Sequence, residues 1–100
     1  MSDHIYSREE IIQAVLPLLR KYHAGQAILF GSYAREEATS GSDIDLLVIG
    51  GDKFDPTDVF CIANDLYRSL GKNVDVYELC EIKEGSELYR RIFAEGVRIA

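Results

Sequence analysis

Apolar positions along this chain recur in two rhythms, and the switches between them mark out its elements. Ile11, Ile12, Val15, Leu16, Leu19 and Tyr22 follow helical spacing. Ser7-Arg8-Glu9-Glu10 ahead of them has the capping-box form, so a helix is predicted to start there. Pro17 predicts a kink or local break in that helix, and Gly25 its end. Residues 27–30 are a short unbroken apolar run, the pattern of a buried strand. Residues 33–38 predict a short helix, and Thr39-Ser40-Gly41-Ser42 a loop. Residues 43–49 predict a second strand, which Gly50-Gly51 stops. Asp55-Pro56 then opens a helix with Val59, Ile62, Ala63, Leu66 and Leu70 on its buried side and Gly71 at its end. Residues 74–79 predict a third strand. Ser86 caps a last helix with Leu88, Ile92 and Phe93 facing inward and Gly96 closing it, and residues 97–100 predict a short edge strand.

Strands alternating with helices predict an α/β (α+β) fold: one small mixed sheet of three to four strands flanked by helices. At 100 residues the chain is expected to be one domain spanning 1–100. The long helical connection between strands two and three makes them parallel neighbours. The short return between strands one and two makes those antiparallel.

No apolar run approaches the roughly 20 residues that cross a bilayer. The polar N-terminal stretch has no apolar core of a signal peptide. A cytoplasmic protein is therefore expected, with no membrane partner. The net charge is −6, spread evenly over the two halves. A surface of that sign is a poor match for a phosphate backbone, so no direct nucleic-acid binding is expected. Cys61 and Cys80 are expected as buried, reduced thiols, and His4 and His23 as solvent-facing.

Aspartate is depleted in strands, yet Asp43, Asp45 and Asp75 fall in or at them. Asp43 and Asp45 project from one strand face, about 6.5–7 Å apart. Asp75 stands at the matching place on the parallel neighbour, so three carboxylates converge. Oxygen-only ligands of this kind suit a hard cation such as Mg²⁺ or Mn²⁺. Gly31-Ser32 leaves strand one beside them. Glycine allows close backbone approach, and free N–H groups with the Ser32 hydroxyl make a phosphate seat. Arg35 has two readings, a phosphate contact or a surface ion pair with a glutamate.

Gly31-Ser32, ten residues, then Asp43-Ile44-Asp45 resembles the GS-x10-DxD signature of the polymerase-beta-like nucleotidyltransferases. The wider string Gly31-Ser32-Tyr33-Ala34-Arg35 through Gly41-Ser42-Asp43-Ile44-Asp45-Leu46-Leu47-Val48 is similar to the minimal nucleotidyltransferase family in particular. Val74-Asp75-Val76 matches the segment with that family's third carboxylate. Glu36 stands where many members have glycine. The resemblance covers nearly the whole chain. It implies transfer of AMP from ATP to a hydroxyl with two Mg²⁺ ions, Mn²⁺ being able to substitute. Asp43, Asp45 and Asp75 would be the catalytic metal ligands, and Gly31, Ser32 and Arg35 would hold the phosphates. The family also implies a partner, a HEPN-domain toxin modified on a tyrosine, with this chain as its antitoxin and association into oligomers. The alternative is an antitoxin that neutralises a helical partner by contact alone.

Overall fold

The computed structural model describes residues 3–100; Met1 and Ser2, the start of the polar N-terminal stretch, lie outside the described residues. Helix α1 spans Arg8–Lys21 and buries Ile11, Val15 and Leu19. Its capping box forms: Ser7 Oγ accepts the Glu10 N–H at 3.1 Å, and Glu10 Oε1 accepts the Ser7 N–H at 2.9 Å. The helix continues through Pro17, whose ring lies on the exposed side. Leu16, predicted on the buried face, is exposed too.

The end of α1 differs from the sequence reading. His23, not Gly25, takes the left-handed conformation, at φ 61°. The Ala24 N–H donates to Leu19 O and the His23 N–H to Arg20 O, which together make a Schellman turn. Gly25 serves packing instead, since a Cβ there would fall 3.1 Å from Ile49 O.

Strands β1 (Gln26–Phe30), β2 (Ile44–Ile49), β3 (Val74–Glu78) and β4 (Val97–Arg98) form one sheet in the order β3-β2-β1-β4. β1 is antiparallel to β2 and β4, and β2 is parallel to β3. Helix α2 (Val59–Leu70) follows a 3₁₀ turn at Pro56–Asp58 and ends at Gly71, φ 69°. Helix α3 (Glu87–Glu95) starts at Ser86, whose hydroxyl accepts the Tyr89 N–H at 3.2 Å.

The sheet has two unequal cores. Leu29, Ile44, Leu46, Val48 and Val74 pack with Ile11, Val15, Ile62 and Leu66 of α1 and α2. Phe30, Leu47 and Ile92 form a smaller cluster under α3 on the opposite face, with Tyr77 against it. In the strand alternation Asp45 shares a face with Leu47, and Asp75 with Tyr77. The carboxylates and α3 therefore lie on the same side.

Two further expectations fail for one reason: a short helix has only one narrow stripe to bury. Phe93 is exposed because Ile92 takes the inward place on α3. Cys61 is exposed because the buried stripe of α2 is Val59, Ile62, Leu66 and Leu70. Tyr67 is likewise exposed off that stripe. Cys80 is exposed as well, in the 3₁₀ turn after β3. No helix among the described residues is long and apolar enough to cross a membrane.

Candidate active site

Residues 31–37 do not form the predicted short helix. They make one compact turn. The Ala34 and Arg35 N–H groups donate to Gly31 O at 3.1 and 3.2 Å, and the Glu37 N–H donates to Ser32 O at 2.9 Å. Glu36 stops it in the left-handed region, at φ 60°. That backbone favours glycine. Glu36 faces away from the carboxylates, its Oε1 lying 3.9 Å from Arg8 Nη2.

Gly31 has φ +75°, and a Cβ on it would fall 2.4 Å from Asp45 Oδ2. Only glycine permits this approach. It brings the turn and the carboxylate into direct contact. Register supplies the rest: Phe30 stands opposite Asp45 across the antiparallel pair, and Asp45 opposite Asp75 across the parallel one. Asp43 precedes β2, where the Ile44 N–H donates to Asn73 O at 3.1 Å. Buried Lys72 donates to Ser40 O at 2.7 Å and so holds the loop leading to Asp43.

Asp45 is half-buried, while Asp43 and Asp75 are exposed. Burial first, then the charges of Asp75 and Asp43, push the Asp45 carboxyl up to about 6, against a weaker pull from Arg91. Burial, then the charges of Asp75 and Asp45, raise the Tyr77 hydroxyl. The three carboxylates are thus in electrostatic contact. Among the described residues, no group of three or more His, Cys, Asp or Glu side chains is arranged to hold a metal ion. The donor chemistry fits a hard divalent cation all the same. The ligands are oxygen only, and their mutual repulsion is of the kind a cation relieves.

The sequence reading missed two residues at this corner, Arg91 and Glu95 of α3. Glu95 Oε1 accepts the Gly31 N–H at 3.2 Å. Arg35 Nη1 donates to Glu95 Oε1 and Oε2 at 3.0 and 3.1 Å. Arg35 Nε lies 3.6 Å from Glu37 Oε1, and Arg91 Nε 3.9 Å from Glu95 Oε1. Arg35 is therefore ion-paired with glutamate.

The family model described as "Polymerase beta, Nucleotidyltransferase" matches residues 12–100. The chain belongs to that family. A Methanocaldococcus jannaschii protein, MJ0435, provisionally named a protein adenylyltransferase, is 42% identical over 67 residues, or 67% of this chain and 72% of that one. A solved structure provisionally described as a minimal nucleotidyltransferase matches with a TM-score of 0.75 at 28% identity, over 92% of this chain and 95% of that one. A chain of a toxin–antitoxin complex solved with AMP-PNP matches with a TM-score of 0.76 at 25% identity, over 89% of this chain and 72% of that one.

Proposed function

We propose that this nucleotidyltransferase-family chain transfers AMP from ATP to a hydroxyl on a protein, a tyrosine of a HEPN-domain toxin, and acts as its antitoxin. One observation carries the reading. Asp45 is held against the left-handed Gly31 turn on one side and in register with Asp75 on the other. A phosphate seat and a carboxylate cluster thus meet at one point. The adenylyltransferase name of the M. jannaschii relative and the toxin–antitoxin complex solved with AMP-PNP support this choice of nucleotide and of a toxin as partner.

Asp43, Asp45 and Asp75 would hold two Mg²⁺ ions, or Mn²⁺, and such cations would supply charge stabilisation for the displacement. Gly31 N–H and the Ser32 hydroxyl receive the β- and γ-phosphates, and Arg35 is a third donor. The acceptor oxygen attacks the α-phosphorus. The new P–O bond forms as the bond to the bridging oxygen breaks, and pyrophosphate leaves. Asp75, exposed on the edge strand, would take the hydroxyl proton.

The test separates catalysis from simple contact. Asp43→Asn/Asp45→Asn is mixed with the HEPN partner, and the partner's toxic activity is measured with ATP present. The enzymatic account predicts that inhibition is lost while the two proteins still co-purify. Inhibition that survives the double substitution would assign neutralisation to contact alone.

A further inference from the structure

The phosphate seat is already filled by a side chain of the protein. Glu95 accepts from the Gly31 N–H and, through both oxygens, from Arg35 Nη1, with Arg91 Nε 3.9 Å away. Two donors assigned above to the triphosphate thus converge on one carboxylate, as they would on a phosphate.

The fold places it there. β4 pairs with β1 as Leu29↔Val97, and continuing that register puts Glu95 opposite Gly31. Gly96 permits the tight corner from α3 into β4, since a Cβ there would fall 2.3 Å from Ile92 O and 2.6 Å from Ile28 Cγ2. The position is a poor one for an acid on helix grounds alone. Glu95 is the last residue of α3, where the helix dipole disfavours negative charge. The Gly31 and Arg35 contacts are what offset this. The Glu95 side chain keeps 23% of its surface in solvent, so it has a way out.

We infer that Glu95 is an internal competitor for the phosphate seat, which ATP must displace before Gly31 and Arg35 can engage its phosphates. The inference rests on the assignment of those two residues to the triphosphate. Arg91, one helical turn back, is the partner that keeps the displaced carboxylate. Glu95 thereby sets a threshold for nucleotide. A competitor in place about nine-tenths of the time weakens apparent affinity about tenfold.

Binding of ATP, AMP and inorganic tripolyphosphate to the full chain and to Glu95→Gln is measured by calorimetry with Mg²⁺. Gln keeps the size and removes the charge. The expected result is about tenfold tighter ATP and tripolyphosphate binding by Glu95→Gln, with AMP affinity unchanged. Equal or weaker ATP binding would mean that Glu95 braces the Gly31 turn rather than competing, and would overturn the inference. Equal gains for AMP and ATP would overturn it too, since AMP has no phosphate for this seat. If neither chain binds ATP or tripolyphosphate, the phosphate-seat assignment itself fails. A second measurement needs no variant. On titrating the native chain with tripolyphosphate, the Gly31 amide and Glu95 carboxyl resonances must shift together. A Gly31 shift without a Glu95 shift contradicts displacement.

Discussion

At the residue scale, the motif residues were legible because each breaks a local rule. Aspartates in strands and a Gly-Ser leaving a buried run conflict with propensity, and they mark the corner where β1 and β2 meet. Glu36 shows the reverse. It fills a left-handed position at φ 60°, which accounts for the glycine that many members of the minimal nucleotidyltransferase family have there. Glu36→Gly is expected to stabilise the chain by up to about 1 kcal/mol, read as a rise in Tm. Gly31→Ala forces a Cβ 2.4 Å from Asp45 Oδ2 at φ +75°, costs about 1–3 kcal/mol and abolishes nucleotide binding. A normally stable, ATP-binding Gly31→Ala chain would contradict that contact. Asp45 sets a pH dependence. Its carboxyl is raised to about 6, so the folded state binds the proton more tightly than the unfolded chain does. Stability from this group is fully present below the ordinary carboxylate range and is lost as pH rises through about 6. Asp45→Asn should therefore stabilise the chain at pH 7 by about 1 kcal/mol after discounting for solvent, read as a rise in Tm, and leave Tm unchanged near pH 3. A lower Tm at pH 7 would count against the crowding of the three carboxylates.

At the scale of elements, periodicity found the three helices and four strands of the described residues, and caps gave the starts of α1 and α3, whereas Asp55 caps the 3₁₀ turn ahead of α2, which begins at Val59. It failed where a backbone conformation or a distant contact decides. His23 ends α1 because the Schellman turn needs a left-handed residue two places before Gly25. The turn at 31–37 reads as a helix because its first hydrogen bonds are helical, until Glu36 reverses the chain. α3 matters beyond its length, since it carries Arg91 and Glu95 to the site. Ile92, fully buried against Phe30 and Leu47, is its anchor. Ile92→Ala is expected to cost about 2–4 kcal/mol by denaturant unfolding. A cost below about 1 kcal/mol would mean that α3 docks without it.

Across the whole molecule, parallel pairing of β2 with β3 and antiparallel pairing of β1 with β2 bring residues 31, 45 and 75 together. Alternating elements made that topology readable. The Gly31–Glu95 contact spans 64 residues and follows no local pattern, so no spacing rule could show it. A divalent cation that binds the folded carboxylate corner must stabilise the chain by mass action. Mg²⁺ or Mn²⁺ should raise Tm at pH 7.5, less at pH 5 where Asp45 holds its proton, and not at all in Asp43→Asn/Asp45→Asn. An equal rise in the double variant would place the cation elsewhere. The central claim is transfer itself. The most direct measurement incubates the chain with Mg²⁺, α-labelled ATP and the HEPN partner, then maps the label. The account predicts label on a partner tyrosine, dependent on the cation and absent with Asp45→Asn or Asp75→Asn. Label that never leaves the nucleotide, or that transfers equally with both variants, would contradict it.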